Sequence, residues 1–421
     1  MRHQPRRSHP LSQPGPSIFP AGTRQEQAQH RLPGSIAPLI FAACLTSTVT
    51  AVHYTNYGPL IPIMQSDLHI NSAQAGLMST LLFLGLAVAY IPAGALADRH
   101  GQRPVLIGSS TLIVLGSVLL PLIPNITWIL LCRFITGIGA GGGFVAGAGV
   151  AAGMGKHAPL AQGLYGGSVQ IGSGLGLLVT PLLYDWLGWR GAFLFWGLLG
   201  ISAIIAWLLV TGGQEAHTPT KVDIKAGLRS PSVWTLGLSH LGTFGLGNAI
   251  AAWYAVYLVH QYGLTLGLAA TLGSIALLSG MFFRPLGGIL LARKIIGAIP
   301  LLRVGTIMGF AGVALLAIPL RFPPLAAAGM GLIAIGATIP YTSVFNEAAH
   351  LRGVGRGIAQ GLVSIISSPT VLLGPPIIGF LFEHTGNFIF AFGSILIFSI
   401  IAITASFLAG SAVKRETTLG T

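Results

Sequence analysis

Two arginines, Arg133 and Arg284, lie inside long apolar runs. A guanidinium at the centre of a bilayer costs roughly 2.5 to 3.5 kcal/mol, so each must face a wet cavity or a partner. No Asp or Glu lies within these runs, because Asp67, Asp98, Asp185, Glu347 and Glu383 all fall at or beyond run ends. An embedded cation without an embedded acid suits a negatively charged solute, since the planar fork of arginine matches an anion's oxygens. The same absence removes the carboxylate relay expected of many proton-driven pumps. Arg284 stands about seven residues, or ~10 Å, from the end of its run, so a side chain that snorkels to the interface is the competing reading.

His53, Asn56 and Tyr57 fall at i, i+3 and i+4, on one helical stripe that must face something other than lipid. A later run carries His240, Asn248, Trp253, Tyr254 and Tyr257, and another carries Tyr341 and Asn346. Trp253 and Tyr257 sit near a run end, where an interfacial aromatic belt accounts for them. Histidine titrates near neutral pH, so His53 or His240 has the chemistry to carry a co-transported proton. A neutral, hydrogen-bonded histidine is the alternative.

Composition dictates the elements that hold these residues. Of the 421 residues only 7% are charged and 52% are hydrophobic, with a mean hydropathy of +0.77. That excludes a water-exposed globular surface. The apolar runs are continuous and about 20 to 25 residues long, which calls for membrane-spanning helices and not a β-barrel. Twelve spans are expected, at roughly 36–63, 73–97, 104–124, 126–150, 161–182, 192–212, 232–258, 266–291, 300–320, 324–346, 357–382 and 387–410. Many of the 59 glycines and 26 prolines fall within them, where small residues let helices approach closely. Cys44 and Cys132 also lie in apolar runs, so neither a disulfide nor a metal site is expected. With no G-x-x-x-x-G-K-[ST] loop either, the expectation is an all-α integral membrane protein that is not an enzyme and holds no cofactor.

Residues 1–34 read as a disordered basic tail without the apolar core of a secretion signal. The net charge of +13 is topological information and not a nucleic-acid footprint. Eighteen Lys and Arg residues fall in the tails and loops on the side of the termini, against Arg190 and Arg321 on the other. The positive-inside rule then makes both termini cytoplasmic, for a multi-pass protein of the plasma (inner) membrane. The polar stretch 213–231 divides the chain into six-span units at 35–212 and 232–411, with a short tail at 412–421. Ala161-Gln162-Gly163-Leu164 returns as Ala359-Gln360-Gly361-Leu362, an offset of 198 (359 − 161). The same offset takes Asp185 and Gly188 to Glu383 and Gly386, which points to a duplicated unit.

Between spans two and three the chain reads Gly94-Ala-Leu-Ala-Asp98-Arg99-His-Gly101-Gln-Arg103-Pro-Val-Leu106. This resembles the signature loop of the major facilitator superfamily, G-x-L-a-D-R-x-G-R-r-x-x-L. Arg133-Phe-Ile-Thr-Gly137-Ile-Gly139 in span four resembles the family's Arg-x-x-x-Gly-x-Gly element, and Gly188-Trp189-Arg190 is also similar to a common family sequence. The resemblance covers residues 36 to about 410. It implies two six-helix bundles rocking about a midplane site, with a small-molecule substrate, the bilayer as surroundings and a monomer as the working unit. In the second half, Gly287-Gly288-Ile-Leu-Leu-Ala-Arg293-Lys-Ile-Ile-Gly297 occupies the equivalent loop without an aspartate.

In the family, spans one, four, seven and ten line the central cavity. That makes His53, Asn56, Tyr57, His240, Asn248, Tyr341 and Asn346 cavity candidates beside Arg284. It also makes Gly94, Asp98, Arg99, Gly101, Arg103, Arg133 and Gly137 motif and gating residues, with Asp98 set against the N-terminus of span eleven near Gly357. The context of Arg284 resembles nitrate/nitrite porters and other anion-handling branches, although Tyr90-Ile-Pro92 stands where those porters carry a second arginine in span two. The expected function is transport of an organic or inorganic anion. Efflux of hydrophobic drugs is the alternative, to whose glycine-proline motif Gly172, Gly174, Gly176 and Pro181 are loosely similar. A membrane receptor on the same scaffold is the non-transport alternative.

Overall fold

The computed structural model describes residues 36–210, 223–351 and 353–418. The expected tail at 1–34 and most of the expected linker, 213–222, lie outside the described residues. Among the described residues ten helices are long and apolar enough to cross a bilayer, and a pair bent by 52°, Pro231–Ala251 and Trp253–Tyr262, makes an eleventh. Spans one to four are Ile36–Leu68, Gln74–His100, Gln102–Leu122 and Ile126–Ala152. The next helix, Gly155–Leu209, runs for 55 residues, about twice what a bilayer needs. It breaks at Gly188, whose φ of 66° is open to glycine at little cost, and so supplies spans five and six. The bent pair is span seven. Spans eight to twelve are Thr271–Ala292, Ala298–Leu316, Pro323–Ala349, Arg356–Thr385 and Phe388–Glu416. Twelve crossings result, an even number that returns Glu416 to the side of Ile36.

Local chemistry sets the ends. The Asn71 side chain accepts from the Gln74 amide at 2.8 Å while Gln74 accepts from the Asn71 amide at 3.0 Å, a capping box that opens span two. Asn125 caps span four through the amides of Thr127 and Trp128. Several ends differ from expectation, three of them as follows. Span one continues through a 3-10 turn at Gly58–Leu60 to Leu68. Span two runs on to His100, so Asp98 lies in its last turn and not after it. Helical structure continues to Thr418 where a tail from 412 was expected, because Glu416 accepts from Ser230 Oγ at 2.9 Å and from the Ser232 amide at 3.3 Å. A carboxylate there satisfies the opening turn of span seven and its positive end.

The packing is asymmetric across the membrane. On the side of the termini one apolar core runs through both halves of the chain, joining Leu39, Leu106, Tyr165 and Trp207 to Val233, Tyr341, Phe345 and Leu362. On the far side the halves have separate cores, one around Leu60, Met64 and Phe193 and one around Leu246, Tyr257 and Phe392. The halves therefore share one apolar core near the termini and have separate cores towards the other face. Glycines make that joint possible. A Cβ at Gly94 would strike the Gly357 carbonyl, one at Gly361 the Tyr90 carbonyl, and one at Gly288 the Pro159 carbonyl, so spans two and eleven, and five and eight, meet backbone to backbone.

Candidate functional site

Span eight presents Arg284 to span five at a point where glycine leaves room. A Cβ on Gly166 would collide with the Tyr341 ring and the Arg284 side chain, and one on Gly163 with the Arg284 carbonyl. In that space Arg284 Nη1 donates to the Gly166 carbonyl at 2.8 Å, and the guanidinium lies 4.6 Å above the Tyr341 ring. The side chain is 2% exposed, which is incompatible with snorkelling. Its Nε has no hydrogen-bond partner among the described residues, nor has the Tyr341 hydroxyl. Such orphaned groups are costly in a low-dielectric interior unless something completes them.

Arg284 borders a cavity between spans five, seven, eight and ten, walled by Gln170, Asn248 and Thr338 and by Phe244, Ala276 and Met330. Phe244 also borders a second cavity, whose other walls include Tyr54, Phe83, Leu86, Tyr90 and Phe144. Among the described residues no acidic side chain lines either cavity.

The expected cavity residues divide. Arg284 and Asn248 line the first cavity and Tyr341 lies under the guanidinium. His240 stands behind this wall, its Nδ1 2.8 Å from Thr243 Oγ1 and its ring centre 6.4 Å from that of Tyr341. Asn346 lines neither cavity. The trio His53, Asn56 and Tyr57 does not line the cavities either. Arg133 draws it inward, because its Nη2 donates to the His53 carbonyl at 3.0 Å, its Nη1 to Asn56 Oδ1 at 3.4 Å and its Nε to the Met78 carbonyl at 3.2 Å. Tyr57 lies 4.8 Å from that guanidinium, and Ser117 Oγ stands 3.1 Å from His53 Nδ1. The polar stripe of span one thus faces the interior of the first bundle, and it is Tyr54, on another face, that meets the cavity. Tyr257, expected in an interfacial belt, is instead 2% exposed among Tyr254, Phe388 and Phe392.

The motif residues have distinct positions. Asp98 Oδ1 accepts from the Gly357 amide at 2.8 Å and Oδ2 from the Ile358 amide at 2.9 Å, at the N-terminus of span eleven. Gly94, one turn earlier, is the close approach that permits this. Gly101, with φ of 88°, separates spans two and three, while Arg99 is exposed. Arg103 donates to the carbonyls of Trp207 and Leu208 at the end of span six, and Gly137 lets span four approach the Leu82 carbonyl of span two. Sequence reasoning missed Gln162 and Gln360, although the repeat marks them. Gln162 Nε2 donates to the Ala148 carbonyl at 2.7 Å and Gln360 Nε2 to the same oxygen at 3.4 Å, so the second bond ties the two halves together.

The model of the Major Facilitator Superfamily matches residues 39–368. The chain is 28% identical over 352 residues to the "Nitrite extrusion protein" of Bacillus subtilis (strain 168), covering 79% of this chain and 84% of that one. It is 25% identical over 352 residues to the "Probable nitrate transporter NarT" of Staphylococcus carnosus (strain TM300), covering 82% and 89%. Among solved structures, the transporter FucP in the outward conformation is similar at TM-score 0.71 and 17% identity, covering 88% of this chain and 98% of that one. The human organic anion transporter MFSD10 is similar at TM-score 0.69 and 15% identity, covering 89% and 99%.

Proposed function

Starting from the chain's membership of the major facilitator superfamily, and so from a multi-pass membrane transporter, we propose that its solute is an anion that binds at Arg284 and is carried by alternating access. One observation carries this reading: a buried guanidinium borders the cavity between the bundles with Nε unsatisfied and no acid beside it. An arriving anion would complete that hydrogen-bonding set and neutralise the charge, whereas a cation would meet only repulsion. The names of the Bacillus and Staphylococcus relatives, which concern nitrite and nitrate, support the same charge. Drug efflux of cations would need an embedded acid, and neither cavity supplies one.

A core shared by both bundles near the termini, with separate cores at the far face, supports a site open away from the termini. With the basic loops on the cytoplasmic side of the plasma membrane, that is the outward-facing state of a monomer. Asp98 and Gly94 act as its inner gate, and Arg133 holds the first bundle together. His240 is the candidate for a co-transported proton, standing behind Tyr341.

Uptake into proteoliposomes tests the charge. Arg284→Ala should weaken anion binding about ten- to hundredfold, the usual worth of a hydrogen bond to a charged group, and Arg284→Lys should keep part of it. Transport of a cation or neutral solute that both the native protein and Arg284→Ala carry equally well would overturn the proposal.

A further inference from the structure

We infer that the solute is a monovalent organic anion, an acid group attached to an aromatic or comparably apolar body, with the body lying in the second cavity. This inference rests on the anion reading and specifies its substrate class. The two cavities share Phe244 as a wall, and a continuous row of rings runs from one to the other. The Arg284 guanidinium lies 4.6 Å from the Tyr341 ring, Tyr341 lies 4.8 Å from Phe345, Phe345 lies 5.5 Å from Phe144, and Phe144 lies 6.0 Å from Tyr90. Tyr54 and Phe83, 5.6 Å apart, form another part of the second cavity's lining. Apart from Ser368 and the two tyrosine hydroxyls, its walls are hydrocarbon.

Charge fixes the valence. Arg284 is the single cation bordering either cavity among the described residues. Arg133, the other embedded arginine, has its guanidinium bonded to His53, Asn56 and Met78 inside the first bundle. A second negative charge on the solute would therefore be desolvated without a partner. An inorganic anion of a few atoms would use the guanidinium and leave the ring-lined cavity with nothing to bind. A carboxylate on a phenyl-sized body uses both, one end by charge-assisted hydrogen bonding and the other by removing apolar surface from water. The rings that line the second cavity suit a flat aromatic body, through edge-to-face or offset contact.

The test measures binding to the purified full-length protein in nanodiscs, with phenylacetate, acetate, nitrate and the uncharged phenylacetamide as probes. Phenylacetate should bind about ten- to hundredfold more tightly than acetate or nitrate, the return expected for burying a side-chain-sized apolar group. Phenylacetamide should bind at least tenfold more weakly than phenylacetate, and Arg284→Ala should remove that difference. Ser368→Leu fills the second cavity and should reduce the phenylacetate-to-acetate ratio to about threefold or less. Leu372→Trp, from a more exposed wall position, should do the same and guards against misfolding of the first variant. Acetate or nitrate binding as tightly as phenylacetate, with all of it lost in Arg284→Ala, would overturn this inference and leave the anion reading standing. Phenylacetamide binding as tightly as phenylacetate, with or without Arg284, would overturn both. Failure of phenylacetate to bind at all would also overturn the inference.

Discussion

Asp98 spends both carboxylate oxygens on two consecutive backbone amides, 2.8 and 2.9 Å away, at the first turn of span eleven. Those amides have no partner within their own helix and lie at its positive end, so the contact ties the halves of the molecule together by charge as well as by shape. In Asp98→Asn one oxygen remains for one amide, while the new NH₂ opposes the other. The joint should lose ~1.5 to 3 kcal/mol, and the population closed on this side should fall about ten- to hundredfold relative to the opposite state. Spin labels at Lys156 and Arg293, one exposed site in each half near the termini, would read the change as a longer inter-label distance. An unaltered distance distribution in Asp98→Asn would show that the carboxylate is a helix cap and not a latch. At this scale the sequence was legible where a residue's chemistry admits one kind of neighbour, as Asp98 and Arg284 do. It was not legible for span one, because His53 and Tyr54 differ by about 100° around the helix and both faces avoid lipid. Which face met Arg133 and which met the cavity depended on a neighbour that periodicity does not specify.

Pairs of elements repeat the same contacts in both halves. Arg103 of span three donates to the carbonyls of Trp207 and Leu208 at the end of span six, and Arg303 of span nine donates to those of Ser406 and Phe407 within span twelve. Gly188 and Gly386, 198 residues apart, both adopt positive φ, 66° and 63°. The crossing of spans two and eleven at Gly94 and Gly357 is mirrored by that of spans eight and five at Gly288 and Pro159. The mirror is incomplete: Ala292 stands where Asp98 would, and Pro159 brings no amide hydrogen to the position of Gly357. One crossing therefore carries a polar latch and the other only packing, an asymmetry foreshadowed by the missing aspartate in the second loop. The bend in span seven was not foreshadowed. It follows a π-helical turn at Leu241–Gly245, and the glycines there resemble the many that serve only close packing. Gly94→Leu should open the same gate as Asp98→Asn without touching charge, because its side chain must displace the Gly357 backbone. The Lys156–Arg293 distance should lengthen in this variant at high and low salt alike. If Gly94→Leu kept the native distance, the close approach of spans two and eleven would not be what holds the gate shut.

Twelve crossings, and with them Ile36 and Glu416 on one face, were legible in run lengths alone, because lipid leaves the backbone few options. The joined core near that face and the separate cores beyond it were not, since apolar residues fill both and hydropathy does not distinguish helix contacts from lipid contacts. Which compartment each face meets is a matter of charge. On the termini face Arg99, Lys156, Arg293 and Lys294 are exposed. On the far face Arg190 is tied at 3.8 Å to Asp67, which also accepts from Trp189 Nε1 at 2.8 Å, and Trp186 is 89% exposed as an interfacial ring would be. Lys156 precedes span five and Asp185 ends it, so one crossing separates them and they must lie in different compartments. Cysteines placed singly at these two positions, in a chain with Cys44 and Cys132 replaced by alanine, should therefore respond oppositely to an impermeant maleimide. In intact cells Asp185→Cys should label and Lys156→Cys should not, and permeabilisation should expose the second. Labelling of Lys156→Cys alone in intact cells would invert the molecule, turning the Asp98 gate to the outside and the Arg284 cavity toward the cytoplasm. Labelling of both would show that span five does not cross, and would overturn the twelve-span topology.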